Sequence, residues 1–146
     1  MRFWMVLIFF ILGGCATSSE RIPHYFHNEH NGLIPGQSTL VDTMQTLGAP
    51  QKIETTINGR NYYFAKATIN FSGTDQEHIN TIQIVNDPNY ISPSGVKLND
   101  AIDQARKKIN HYKDGLKTIY DPRRGIFYWH DGAVIKKIVL VYSAYK

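Results

Sequence analysis

The chain has 146 residues, 42% of them hydrophobic, with 16 Lys and Arg against 12 Asp and Glu, a net charge of +4 and a mean hydropathy of −0.31. That apolar share can build a core without help from metal, and a single cysteine excludes an internal disulfide framework and paired-cysteine metal motifs. The charge is uneven: residues 15 to 96 hold four cations and seven anions, whereas residues 97 to 146 hold eleven and five.

Met1 and Arg2 precede an unbroken apolar run, Phe3 to Leu12. Ten residues are too few to span a bilayer and suit a secretory h-region. Leu12-Gly13-Gly14-Cys15 follows, and it resembles the lipobox of bacterial lipoproteins. The resemblance implies a signal peptide over residues 1 to 14, cleavage between Gly14 and Cys15, and a lipid-modified Cys15 as the first mature residue. Several acyl chains on one cysteine anchor stably where one would not. Ala16, in place of the Asp that retains such proteins at the inner membrane, implies the outer membrane, facing the periplasm. An exported protein meets no nucleic acid, so the expected partners of the basic half are anionic headgroups or acidic protein surfaces.

Residues 15 to 31 are polar, carry Pro23, and read as a tether. His24, His27 and His30 recur every third residue beside Glu29, the donor types zinc prefers. Pro23, Asn28 and Asn31 oppose the helix that would align them, so no metal is expected.

Ser38 to Leu47 predicts a helix, with Ser38 or Thr39 as its cap and Leu40, Val41, Met44 and Leu47 as an apolar stripe. Gly48 and Pro50 stop it. Alternation at Ile53, Thr55 and Ile57, the Asn58-Gly59 turn, and the aromatic run from Tyr62 to Phe71 predict a hairpin with a long return strand. Ser72 to Asp75 turns the chain into a third strand, His78 to Val85.

The same order follows again. Leu98, Ile102, Ala105, Ile109 and Tyr112 predict a helix from Leu98 to Tyr112, ended by Gly115. Strands are expected at Leu116 to Tyr120, Ile126 to His130 and Ala133 to Tyr145, with Asp131-Gly132 as a tight hairpin. Ile138 to Val141 is apolar on both faces, which suits the middle of a sheet. A shift of 58 residues lays Leu33 on Ile91, Pro35 on Pro93, Leu40 on Leu98 and Met44 on Ile102. It suggests a duplicated helix-plus-three-strand unit, residues 32 to 87 and 88 to 146, within one α+β domain over 32 to 146. Chance similarity between two amphipathic helices gives the same matches, so both readings stay open.

Ile34-Pro35-Gly36-Gln37-Ser38-Thr39, the helix, and Leu47-Gly48-Ala49-Pro50 resemble the opening of the small SmpA/OmlA (BamE-like) outer-membrane lipoproteins. The resemblance covers residues 32 to about 85. It implies a helix leading into a three-stranded sheet and a part in assembling β-barrels into the outer membrane. One residue too many separates Gly36 from Gly48, and Thr43 stands where that family usually has Val. A tandem pair of such units is similar in layout to secreted β-lactamase-inhibitory proteins, which grip a partner on a sheet.

No serine has a nucleophile elbow around it, and no His-x-x-x-His or phosphate loop is present. Asp100 and Asp103 suit a helix start electrostatically, and Asp131 beside His130 suits a turn. Neither an enzyme nor a cofactor is expected. Tyr62, Tyr128 and Trp129, with Arg123 and Arg124, are of the types enriched at binding hot spots. The sequence thus predicts an α+β fold, an antiparallel sheet with helices packed on one face. It also predicts a lipid-anchored envelope protein that works as a binding or scaffold module, with Trp129, Tyr128, Arg123, Arg124 and Tyr62 as its partner surface. The competing expectation is a periplasm-facing binder of a small ligand, an envelope polymer or an inhibitor target.

Overall fold

Two short helices and eight strands follow one another in the computed structural model, which describes residues 28–142: α1 (Leu40–Leu47), β1 (Lys52–Thr56), β2 (Gly59–Tyr63), β3 (Ala67–Ser72), β4 (Ile79–Ile84), α2 (Ile102–Lys108), β5 (Lys113–Asp114), β6 (Thr118–Asp121), β7 (Ile126–His130) and β8 (Ile135–Val141). All eight strands join one sheet in the order β1-β2-β3-β4-β8-β7-β6-β5, and every pairing is antiparallel. The α+β expectation of helices packed over one face of the sheet is overturned. Helices of eight and seven residues cannot form a layer over eight strands, and loops complete the cover.

The shortfall in helix has a local cause. Asn99 takes a positive φ of 65° and Ala101 is extended, so the chain stays out of the helix until Ile102. Its backbone bonds go to the sheet instead, Asn99 N to Ile135 O at 2.8 Å and Ile135 N to Asp100 O at 2.9 Å. Likewise the stretch from Tyr62 to Phe71 is two strands, folded at Phe64 to Lys66, where Phe64 N donates to Ala67 O at 2.9 Å. Each half is therefore one helix and four strands, and three-strand units are not what the chain forms.

The halves correspond in a register other than 58. Thr39, the N-cap of α1, bridges His78 before β4, and Ala101, the N-cap of α2, bridges Val134 before β8. Thr43 and Ala105, each four residues past its N-cap, are the buried residues of their helices. The hydroxyl of Thr43 is satisfied by the Thr39 carbonyl at 2.9 Å, which lets a polar residue sit where an apolar one is usual.

Strand alternation assigns the faces. Ile69, Phe71, Ile82, Ile84, Ile119, Ile126, Tyr128, Ile138 and Leu140 point to the covered face and are buried, with Leu33, Val96, Ala105 and Ile109 packed among them. The predicted tether is shorter than expected, because residues 28 to 31 already belong to the fold. Asn28 is buried and donates to the Arg124 carbonyl, and His30 is buried against Asp87 at 3.0 Å. The signal segment, Gly14, Cys15, His24 and His27 lie outside the described residues.

Candidate binding face

The second face of the sheet carries no helix, and its side chains can be read along the register. Lys52, Tyr63, Thr68, Gln83, Val139, Phe127, Tyr120 and Lys113 are successive partners, one from each strand, so a single row crosses the whole sheet. Beside it run Glu54, Asn61, Asn70, Thr81 and Val141. At the other end Lys137, Trp129 and Thr118 are partners.

The β1 to β4 half of this face is polar and internally bonded. Asn80 donates to Asn70 at 3.1 Å, and Asn70 donates to Asn61 at 2.8 Å, an amide ladder that holds three side chains in fixed orientation. Tyr63 donates its hydroxyl to Glu54 at 2.6 Å. That bond, with the charge of Lys52, holds the Glu54 carboxyl below its ordinary range, and the same bond pushes the Tyr63 phenol up. A shallow depression of about 330 Å³ opens between Thr56, Asn58, Asn61, Asn70, Thr81 and Gln83.

The β5 to β8 half is aromatic. Tyr120 and Phe127 stack with centroids 4.3 Å apart, and Lys137 sits 4.8 Å from the centroid of the Trp129 ring. Asn70 and Thr68 are buried within this face, so the polar groups it presents are those of Asn61, Asn80, Thr81 and Gln83, half-buried beside aromatic surface. Such a surface can recognise a polar, extended partner by geometry and hold it by apolar contact.

Only part of the predicted partner surface is here. Trp129 is on the open face and 43% exposed. Tyr128 and Tyr62 are not surface residues: both point to the covered side, Tyr128 donating to Ser92 at 2.9 Å and Tyr62 packed edge-on against Phe71 at 5.5 Å. Burial raises the Tyr128 phenol. Arg124 turns back onto Asp121 at 3.2 Å, and Arg123 is exposed in the β6–β7 turn, away from the row. Neighbouring residues in a strand face opposite ways, so a cluster contiguous in sequence divides between core and surface. Nothing in the sequence marks Asn61, Asn70, Thr81, Gln83, Tyr120 and Val139 as one surface. Their alternation was visible, but which alternate set is bare depends on where α1, α2 and the loops fall.

The groups considered for chemistry are held for structural reasons. Asp100 accepts from Lys97 N and Lys108, Asp103 pairs with Arg106, and Asp131 binds its own loop amides. Asp87 is raised by burial, but bonds from His30 and the Asn89 amide and the charge of Lys66 bring it below its ordinary range. No group of three or more metal-ligating side chains occurs among the described residues. A second depression, about 340 Å³, lies between α1 and the β1–β2 hairpin, with Leu40, Ile57, Arg60, Tyr62 and Phe71 in its lining. No helix among the described residues is long and apolar enough to cross a membrane. No family model matches the chain, and neither a curated protein nor a solved structure matches it.

Proposed function

We propose that this is a lipid-anchored protein of the cell envelope, outer-membrane and periplasm-facing, whose domain is a non-catalytic binding or scaffold module. The observation that carries the binding part is the uncovered sheet face, with its fixed amide ladder at one end and aromatic side chains at the other. The anchoring part rests on Leu12 to Cys15 in the sequence alone. The SmpA/OmlA resemblance lends little to the choice of partner, because the sheet that follows α1 has four strands in this half where that family would have three.

A photo-crosslinking side chain placed in cells at Thr81 or Val139, on the face, is expected to join one protein partner. The same group at Met44, exposed on α1, joins none. Face positions that yield no adduct, or yield the adducts of Met44, overturn the reading. Mass spectrometry of the native chain tests the anchor separately: an N-terminus before Cys15, or a free thiol there, removes it. A second reading, a small-ligand binder, is favoured by the depression beneath α1, where Arg60 stands beside apolar and aromatic side chains.

A further inference from the structure

Charge accounting in the second half leaves cations over. Its five aspartates are all ion-paired, Asp100 to Lys108, Asp103 and Asp114 to Arg106, Asp121 to Arg124 and Asp131 to Lys136. Four cations satisfy five acids, so Lys97, Lys107, Lys113, Lys117, Arg123 and Lys137 make no ion pair among the described residues. Two of these six, Lys113 and Lys117, lie at the β5–β6 hairpin, and a third, Lys137, stands on the open face over the Trp129 ring, where it also donates to Gln83 at 3.3 Å. Lys113 and Lys117 flank the tip of the β5–β6 hairpin, which is closed by Gly115 N donating to Thr118 O at 2.7 Å. Lys137 is the register partner of Trp129, which is in turn the partner of Thr118, and His130 N donates to Lys117 O at 3.0 Å.

The same patch exposes apolar surface that a folded chain normally hides. Leu116, at the hairpin tip, is 97% exposed, and Trp129, the register partner of Thr118 at that tip, is 43% exposed. An aliphatic tip beside Trp129, with lysines that make no ion pair, has the composition that settles at a bilayer interface. Aromatic rings sit at headgroup depth, the aliphatic side chain below them, and ammonium groups meet lipid phosphates.

We propose that this patch, Lys113, Leu116, Lys117, Trp129 and Lys137, docks on an anionic bilayer surface and orients the domain there. The covalent reach allows it: the twelve residues between Cys15 and Asn28 span at most about 45 Å when extended. Asn28 is fastened to the β6–β7 turn, at the end of β6 away from the tip. One strand of four residues separates the two, roughly 13 Å. The docking shares Lys113, Trp129 and Lys137 with the open face, and its reach rests on the proposed anchor at Cys15.

The test uses the full chain with vesicles of equal parts phosphatidylglycerol and phosphatidylcholine, and with phosphatidylcholine alone. Hydrogen exchange is followed over residues 111 to 118, and quenching of Trp129 by brominated lipid is read against Trp129→Phe as the blank. On anionic vesicles the hairpin amides gain protection and Trp129 is quenched. Both effects weaken about 20-fold in lipid concentration for Lys113→Gln with Lys117→Gln, and about tenfold for Leu116→Ser, while exchange of the β4 amides stays unchanged. An acyl or hydrophobic N-terminus attaches the chain to either vesicle, so equal protection on neutral vesicles, or none on anionic ones, overturns the proposal. Protection that grows with protein concentration and needs no vesicles assigns the patch to a second copy or a protein, and overturns it too.

Discussion

Asp131 shows how one side chain can set a loop. Its carboxylate accepts from the amides of Val134 at 3.0 Å and Ala133 at 2.9 Å and lies 3.4 Å from Lys136, and these bonds hold its pKa down at about 2. The unfolded value is near 3.9, so the folded form is favoured above about pH 4, and that contribution disappears as pH falls through 2. Asp131→Asn is expected to flatten the acid side of the stability profile between pH 4 and 2, read as urea midpoints at several pH values. An unchanged acid slope would show that the loop amides do not need the charge. The sequence marks a turn at Asp131-Gly132, but the tight two-residue hairpin it suggests is a four-residue loop over 131–134, with His130 paired to Ile135. The Asp131 carboxylate takes the Ala133 and Val134 amides that a last strand starting at Ala133 would pair. Tyr128 was not legible as a core residue. Its neighbours Phe127 and Trp129 face the opposite way, and nothing local says which side of the strand α2 and the Ser92 loop will cover.

At the level of elements, the β1–β2 hairpin depends on Gly59. It sits at φ 121°, and a Cβ there would overlap the Phe71 carbonyl oxygen across the β2–β3 pairing. Gly59→Ala is expected to cost about 2 to 3 kcal/mol through backbone strain and displaced pairing, and to expose the amides of β1 to exchange before those of β4. If Gly59→Ala keeps both stability and β1 protection, the close approach is not what holds this edge. The Asn58-Gly59 signal predicted a turn here, and the loop itself is Ile57-Asn58 with Gly59 already paired to Thr56. The central place of β8, between β4 and β7, follows from its doubly apolar run. The second helix was overextended because Leu98, Ile109 and Tyr112 keep helical spacing while the backbone around Asn99 and Asp100 pairs with the start of β8. Tertiary hydrogen bonds outweigh a propensity of a few tenths of a kcal/mol per residue.

Across the whole molecule, the two halves meet through one strand pair. β4 and β8 share four register partners, Thr81 with Val141, Ile82 with Leu140, Gln83 with Val139 and Ile84 with Ile138. The inward members of this seam, Ile82, Ile84, Ile138 and Leu140, are fully buried, so neither half can expose its inner edge without uncovering the centre of the common core. The open face inherits the consequence: the row from Lys52 to Lys113 is continuous only while the seam is closed. Ile82→Ala removes three methyl or methylene groups at this point and is expected to cost about 3 kcal/mol. It should lower the protection of β2 and β6 amides together and keep a single urea transition, since one core is shared. Loss of protection in β2 with β6 unchanged would mean that the halves are separate folding units placed edge to edge. In that case the partner proposed for the row would have to supply the coupling between them.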